Sequence, residues 1–287
     1  MKKILVTGAK GQLGKCVKDA AQRYPNLDFH FADRSLLNID EATSVKQFFQ
    51  NNQFDYCINA AAYTNVEQAE SDTEAAYVTN AEGAKHLAEA CADHNTILIH
   101  ISTDYVFDGE QRIPYTENDK TNPISVYGAS KLKGEQYIQE ICEKYFIFRT
   151  SWLYSQYGYN FLNSMLRYAE EKKTLTITTE QLGTPTNAND LAEVLLSIID
   201  SRSEKYGLYH FSNEGNATWY DFAKAIFTFS EQIENVTLGK TTHYRTFAKR
   251  PTYSILNKEK FSRNFPNTLI DWEVSLKQLI ENHKNHK

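Results

Sequence analysis

Short apolar runs alternate with longer amphipathic stretches over the first 150 residues of the chain. The runs are apolar almost throughout and fall at residues 4–6, 56–58, 96–101 and 145–149, with an alternating run at 27–31. The stretches between them carry apolar residues at helical spacing, at residues 11–23, 45–49, 73–92 and 127–143. Apolar strands separated by helices are typical of a parallel sheet that helices cover on both faces.

The order of these elements predicts a doubly wound, Rossmann-like α/β domain over residues 1–152, because crossovers between parallel strands are right-handed. Beyond Trp152 the alternation weakens and aromatic residues become more frequent. We predict that residues 153–287 form a smaller, mainly C-terminal α/β lobe that closes over a ligand. Residues 187–212 could return to the main sheet, which leaves the boundary open. The helical patterns of this half fall at 160–172, 189–201, 219–229 and 272–283.

Composition narrows the class of protein. Of the 287 residues, 41% are apolar and 23% are charged, which is ordinary for a soluble globular protein. The net charge of -5 argues against a nucleic-acid partner, which needs clustered Lys and Arg. No apolar run approaches the length that spans a bilayer, and no CxxC pair occurs among the four cysteines. We therefore expect a cytoplasmic protein with reduced thiols, and we interpret His283 and His286 as part of a polar chain end rather than a metal site.

A glycine-rich turn follows the first predicted strand. Gly8, Gly11 and Gly14 are spaced GxxGxxG and open the first predicted helix. Glycines let a backbone approach a pyrophosphate closely, and a helix N-terminus stabilises its charge. The alternative is a helix entry without a ligand, but the position between strand and helix favours a dinucleotide. The last glycine of the turn is followed by Lys15-Cys16 rather than by Lys-Ser or Lys-Thr, which disfavours an ATP site of the Walker type.

The cofactor's ribose is expected at Asp33-Arg34, about twenty residues after the glycines. Asp33 would accept a hydrogen bond from a 2′-hydroxyl and favour NADH. Arg34 would pair with a 2′-phosphate and favour NADPH. The dipeptide therefore leaves the cofactor open, and a solvated turn without a ligand is the alternative.

A candidate catalytic pair lies in Tyr127-Gly-Ala-Ser-Lys131. The four-residue spacing places both side chains on one helical face. A free tyrosine ionises near pH ~10, and a neighbouring ammonium would lower that pKa and make the phenol a general acid or base. An isolated YxxxK is more often a surface pair.

Other strand ends supply the context that this pair needs. The strand at 97–101 leads into Ser102-Thr103-Asp104, where the carboxyl ends of parallel strands line a ligand crevice. A hydroxyl of Ser102 or Thr103 could hold a substrate carbonyl, so the set predicts ketone reduction. Small residues at 60–62 would let a flat ring lie close to the backbone.

Together, the glycine turn, residues 59–61, Thr103 and the Tyr127–Lys131 pair resemble the extended short-chain dehydrogenase/reductase superfamily. Longer segments resemble one of its families, the dTDP-4-dehydrorhamnose reductases, over nearly the whole chain. These segments are NAAAYTNVE (59–67), STDYVFDG (102–109), RTSW (149–152), QLGTPT (181–186) and RPTYS (250–254).

The resemblance implies reduction of the 4-keto group of dTDP-4-dehydro-L-rhamnose to dTDP-L-rhamnose, usually with NADPH. It implies that Tyr127 donates the proton, and that Lys131 holds the nicotinamide ribose and tunes Tyr127. Thr103 would orient the ketone, with Asp104 supporting the pocket. Trp152 would contact the sugar and Arg250 the nucleotide end of the substrate.

The resemblance also implies cofactor contacts. Gly11, Gln12 and Leu13 would meet the pyrophosphate, and Ala61, Ala62 and Tyr63 would lie along the cofactor. Where the family commonly has an Asp that holds the adenine, this chain has Asn38-Ile39, and an asparagine can still accept from the adenine amine. Some relatives dimerise through a metal held by acids, but Lys15 stands at one of those positions and Asp190 alone would be a poor magnesium site. We expect no metal and a monomer or weak homodimer.

Competing interpretations remain at this stage. Another nucleotide-sugar 4-ketoreductase or an epimerase would keep the same fold, as would a non-catalytic cofactor-binding regulatory subunit. A dehydratase is disfavoured, because Asp104-Tyr105 follows Thr103 where dehydratases usually show Asp-Glu. We interpret His100 as a core histidine and the acidic residues Glu67, Glu70 and Asp72 as solvated. Asn80 could serve a link near the site or cap a kink.

Overall fold

The computed structural model describes residues 1–266 and 268–284. The side chains of His283 and His286, which we interpret as part of a polar chain end, lie outside the described part. The helices are α1 (Gln12–Ala21), α2 (Ala42–Asn51), α3 (Val66–Ala69), α4 (Thr73–Tyr77), α5 (Gly83–Asp93), α6 (Val126–Ile141), α7 (Phe161–Glu170), α8 (Ala188–Asp200), α9 (Trp219–Phe229), α10 (Glu259–Asn264) and α11 (Trp272–Lys284). The strands are β1 (Lys2–Thr7), β2 (Leu27–Phe31), β3 (Tyr56–Asn59), β4 (Ile97–Thr103), β5 (Tyr145–Thr150), β6 (Leu153–Tyr154), β7 (Thr174–Thr178), β8 (Leu182–Gly183), β9 (Thr186–Asn187), β10 (Gly207–His210), β11 (Ala217–Thr218) and β12 (Thr237–Thr241).

Six parallel strands form the central sheet in the order β10-β5-β4-β3-β1-β2. The predicted doubly wound α/β class is confirmed. Strand order reverses direction between β1 and β3, and such a switch point opens a crevice at the carboxyl ends of the strands. Strand β10 pairs with β5, with Tyr209 beside Phe148, so part of the 187–212 segment lies in the main sheet.

Successive side chains of β1 enter opposite halves of the core, as the two-residue period of a strand requires. Ile4 and Val6 pack with α1 and α8 on one face, while Leu5 packs with α2 and α5 on the other. All three side chains are fully buried. Burial on both faces explains why the strands are apolar without alternation.

The C-terminal half of the chain has its own aromatic core. Helices α7, α9 and α11 pack around Tyr154, Phe222 and Trp272. Helix α9 begins at Trp219 because Thr218 and Asp221 form a reciprocal capping box. Three two-stranded sheets, β6-β9, β7-β12 and β8-β11, lie in the same half of the described chain.

The predicted long helix at 73–92 is interrupted. Helix α4 ends at Tyr77, a π-helical turn covers Val78–Glu82, and α5 begins at Gly83. Helical turns of this kind are frequent at functional sites. Over residues 1–266 and 268–284, no helix combines the length and the apolarity needed to cross a membrane.

Candidate active site

The glycine turn has the conformation that close packing requires. Gly8 has a φ of +64°, and a Cβ there would lie 2.6 Å from the backbone nitrogen of Ala61. A Cβ on Gly14 would lie 2.4 Å from the Gly8 carbonyl oxygen. Helix α1 then starts without an acidic residue in its first turn, so its free N–H groups face the crevice without a competing carboxylate.

Two residues assigned to the pyrophosphate have their side chains engaged elsewhere. Gln12 donates to the Leu153 carbonyl at 3.1 Å and accepts from Asn160 at 2.6 Å, so it joins the turn to the C-terminal half of the chain. Leu13 is buried in the core. A phosphate at this turn would therefore accept hydrogen bonds from the backbone N–H groups of these two residues.

A pocket of about 410 Å³ lies beside this turn and includes both predicted ribose residues. It is lined by Gly8, Lys10, Gly11, Asp33, Arg34 and Ser35. Asp33 pairs with Lys10 and accepts from the Ser35 backbone at 2.9 Å. These bonds hold the pKa of Asp33 well below its usual range, with the Lys10 contact as the largest cause. Arg34 is exposed and lies 2.7 Å from Asp40. Two cations thus border a pocket beside the phosphate turn.

At the predicted adenine end, Asn38 donates to Glu41 at 2.8 Å and accepts from the Asp40 backbone at 3.3 Å. Ile39 is buried, and its side chain packs 3.0 Å from the position that a Cβ on Gly83 would take. A contact of Asn38 with adenine remains a prediction.

The side chains of Thr103 and Tyr127 lie near each other at the carboxyl end of β4. Burial raises the pKa of Tyr127 to about 12, the charge of Asp104 adds to the rise, and hydrogen bonding with Thr103 opposes it. At neutral pH the phenol therefore carries its proton. Asp104 is buried, and one of its oxygens accepts from Thr103 at 3.1 Å. Among the described residues the other oxygen has no hydrogen-bond partner, and burial raises the pKa of Asp104 to about 7.

The expectation that Lys131 lowers the pKa of Tyr127 stays a prediction, because burial, Thr103 and Asp104 are the causes that act on the phenol here. The Lys131 amine points to β4, where it donates to the Ile101 carbonyl at 2.6 Å and lies 3.3 Å from His100 Nε2. Burial lowers the pKa of Lys131 to about 8, and Glu135 opposes this. The two side chains share a helical face, but the charge that acts on the phenol is that of Asp104.

Three contacts hold the start of helix α6, which carries the pair. The N-cap Ser125 accepts from the Gly128 backbone at 3.1 Å, and Glu70 accepts from the Val126 backbone at 2.8 Å. A Cβ on Gly128 would lie 2.1 Å from the Tyr105 carbonyl oxygen, so only glycine allows this approach. The interpretation of Glu70 as solvated is wrong, because its carboxylate caps the helix.

Asn80 links α6 to the predicted cofactor segment 61–63. In the π-helical turn its side chain accepts from the Tyr63 backbone at 2.9 Å and donates to the Tyr63 carbonyl at 3.0 Å. The same amide donates to Ser130 at 3.0 Å. Ala61, Ala62 and Tyr63 are therefore held at the crevice, half-buried.

The predicted substrate residues Trp152 and Arg250 both contact residues from distant parts of the chain. Trp152 has a φ of +46°, which is rare for a bulky residue, and stacks on Trp219 with ring centroids 3.7 Å apart. Arg250 donates to Glu67 at 2.6 Å, while its buried Nε has no hydrogen-bond partner in the part of the chain that the structure describes. Glu67 is thus paired rather than merely solvated.

Comparison with known proteins shows the family to which the chain belongs. The family model described as "RmlD substrate binding domain" matches residues 1–285. A dTDP-4-dehydrorhamnose reductase of Aggregatibacter actinomycetemcomitans is 40% identical over 292 residues, which cover 97% of this chain and 98% of that protein. The chain belongs to the dTDP-4-dehydrorhamnose reductase family.

Solved structures of the family superpose closely. A dTDP-4-dehydrorhamnose reductase from Clostridium acetobutylicum is 37% identical with a TM-score of 0.93, covering 98% of this chain and 99% of that one. The Bacillus anthracis enzyme, crystallised in complex with NADP, is 38% identical with the same TM-score and the same coverage. The family resemblance read from the motifs is confirmed.

Sequence reasoning missed several residues that hold this reductase site together. Glu70, Gly128 and Ser130 position helix α6, and Trp219 supports Trp152. Gly128 and Ser130 lie inside the Tyr127–Lys131 motif, so the motif itself contained that signal. Glu70 and Trp219 are distant in sequence from their partners and had no comparable local signal.

Proposed function

We propose that this protein uses NADPH to reduce the C4 ketone of dTDP-4-dehydro-L-rhamnose, which yields dTDP-L-rhamnose. The observation that carries the proposal is that the Thr103 and Tyr127 side chains lie near each other at the end of β4, beside the switch point and its glycine turn. NADPH, when bound, supplies the hydride for C4. The protein must then supply a proton to the ketone oxygen.

Tyr127 is the residue that we assign to this proton transfer. Its raised pKa keeps the phenol protonated at neutral pH, and the proton passes to the oxygen as negative charge develops there. Thr103 lies beside it and would orient the same oxygen. In this structure the Thr103 hydroxyl donates to Asp104, so it must turn away from that carboxylate to donate to the ketone oxygen.

The remaining residues would bind and orient the two ligands. The N–H groups at the start of α1 fit a pyrophosphate, because the turn has no side chain that would fill the space. Lys131 lies one turn beyond Tyr127 and would reach a ribose hydroxyl. Trp152 would contact the sugar with the part of its ring that is not stacked on Trp219. Arg250 would donate to the nucleotide end from its Nε–H, which has no hydrogen-bond partner among the described residues.

An assay of the purified protein tests the proposal. With dTDP-4-dehydro-L-rhamnose we expect one NADPH oxidised for each dTDP-L-rhamnose formed, and NMR of the product checks the configuration at C4. dTDP-glucose, which has no C4 ketone, is the control and should leave NADPH unchanged. Product without net NADPH consumption would indicate an epimerase, and a folded protein without turnover would contradict the proposal.

Cofactor preference gives a separate prediction. Arg34→Ala should lower the preference for NADPH over NADH by about tenfold, because it removes one charge-assisted bond to a 2′-phosphate at an exposed position. The ratio of kcat/KM values for the two cofactors measures this. Arg23→Ala is the matched control, since Arg23 is also exposed but pairs with Glu193. An unchanged ratio in Arg34→Ala would remove Arg34 from cofactor recognition.

A further inference from the structure

His100 lies directly beneath the Lys131 amine, in the middle of the central sheet. It is 1% exposed, and each of its ring nitrogens faces one polar side chain. Nδ1 lies 3.0 Å from the Asn59 amide nitrogen, and Nε2 lies 3.3 Å from Lys131 Nζ. The interpretation of His100 as a core histidine accounts for its burial but not for its contact with Lys131.

Hydrogen-bond donors around Asn59 fix which way its amide points. The Thr7 hydroxyl donates to Asn59 Oδ1 at 2.7 Å, and the Ala61 backbone N–H donates to the same oxygen at 3.2 Å. The backbone N–H can only donate, so the atom that it meets must be the oxygen. The amide nitrogen therefore faces His100.

This orientation determines the tautomer of His100. An amide NH₂ can donate but cannot accept, so Nδ1 of His100 must present its lone pair. A neutral imidazole then carries its single proton on Nε2. Burial is the main cause that lowers the pKa of His100 well below its usual value, which keeps the ring neutral, and Lys131 lowers it further whenever it is charged.

The consequence appears at Lys131. An ammonium has three donors and no acceptor, so it cannot bond to an Nε2 that already carries a proton. A neutral amine has a lone pair that can accept from that N–H. The same contact therefore opposes the charged form of Lys131 and stabilises the neutral form.

We propose that His100 is a positioning residue which, held by Asn59 with its proton on Nε2, favours the neutral amine of Lys131 over the ammonium. Glu135 on α6 acts in the opposite direction, although its carboxylate is shared with Arg149 of β5. Asp104 and Tyr127 interact with each other at the end of β4. This role of His100 deepens the proposed function. Its effect on turnover rests on the proposed function being correct.

The tautomer is tested first, without substrate or cofactor. In protein labelled with ¹⁵N-histidine, the His100 signals, identified by their loss in His100→Gln, should show neutral imidazole with the proton on Nε2 between about pH 6 and 8. A proton on Nδ1, or a charged ring in that range, would overturn the proposal. Because no turnover is needed, this result stands apart from the proposed function.

Asn59→Asp tests whether the tautomer controls Lys131. An aspartate keeps an oxygen for Thr7 and Ala61 but places a second acceptor toward His100, so the imidazole proton should move to Nδ1. Nε2 would then accept from the Lys131 ammonium. We expect the Lys131 pKa, followed by ¹³C NMR of its ε-carbon, to rise by about one unit or more.

The new negative charge alone would also raise that pKa, so a second variant separates the two effects. Asn59→Asp/His100→Leu keeps the charge and removes the ring, and it should show a clearly smaller rise. Equal rises in both variants would overturn the role of His100. His86→Gln is the control for histidine loss, since His86 bonds the Ile39 carbonyl on another element and should leave Lys131 unchanged.

Turnover gives the last readout. In Asn59→Asp, the limb of the kcat/KM profile that titrates Lys131 should move to higher pH with the NMR value. If the tautomer and the Lys131 titration agree with expectation but the wild-type protein turns over no dTDP-sugar, the proposed function fails while this inference stands. If the variants do not fold, as judged by circular dichroism, the wild-type tautomer decides alone.

Discussion

Tyr127→Phe should lower kcat by about 100- to 10,000-fold while cofactor binding is retained, because general acid catalysis contributes that much and only the hydroxyl is removed. The ring itself stays packed edge-on against Tyr105, with centroids 5.9 Å apart in the present structure. NADPH oxidation with saturating dTDP-4-dehydro-L-rhamnose measures kcat, and fluorescence titration measures cofactor affinity.

Tyr137→Phe is the matched control for this experiment. Tyr137 lies on the same helix α6 and its hydroxyl donates to Glu82 at 3.2 Å, away from Thr103. This variant should keep kcat within about twofold, since exposed or peripheral substitutions change little. Turnover of Tyr127→Phe at the level of the control would mean that another group protonates the ketone.

The second large effect is expected at the buried ion pair below the active site. Arg149 donates to Glu135 from two nitrogens, at 3.0 Å and 2.7 Å, with side chains only 4% and 1% exposed. Arg149→Leu would leave the Glu135 carboxylate buried with the Ser102 hydroxyl as its remaining donor. Removing one partner of a buried pair costs about 3–5 kcal/mol of the free energy of unfolding.

Urea unfolding followed by circular dichroism measures that loss. Arg167→Leu is the control, because its pair with Glu171 spans 3.9 Å on the surface and should contribute about 0–0.5 kcal/mol. The double variant Glu135→Leu/Arg149→Leu should recover much of the stability, since no charge is then left buried without a partner. A single Arg149→Leu variant as stable as Arg167→Leu would show that water or another group solvates Glu135.

Local spacing was sufficient for much of the site. A four-residue interval places Tyr127 and Lys131 on one face of any helix. The close backbone approach at the glycine turn depends on the glycines themselves, which are visible in the sequence. Apolar strands separated by helices likewise predicted the sheet, because burial on both faces leaves little choice of residue. The hydroxyl of Thr103 followed from its position at a strand end.

The charges acting on those residues depended on partners that are distant in the chain. Sequence spacing placed an ammonium near the phenol, yet the Lys131 amine turns to Ile101 and His100 on β4, about thirty positions away. The break of the predicted 73–92 helix similarly reflects Asn80, which bonds Tyr63 and Ser130 on separate segments.

The sequence by itself determined the main strands and helices, the glycine turn and the candidate catalytic residues, because these depend on backbone geometry and on burial within one or two turns. The tertiary structure decided which way Lys131 points, which pKa values move and which distant side chains hold helix α6. The physical reason is that hydrogen bonding and desolvation of a buried group are set by whatever atoms surround it, and those atoms come from strands β3, β4 and β5 together with the loop that carries Glu70.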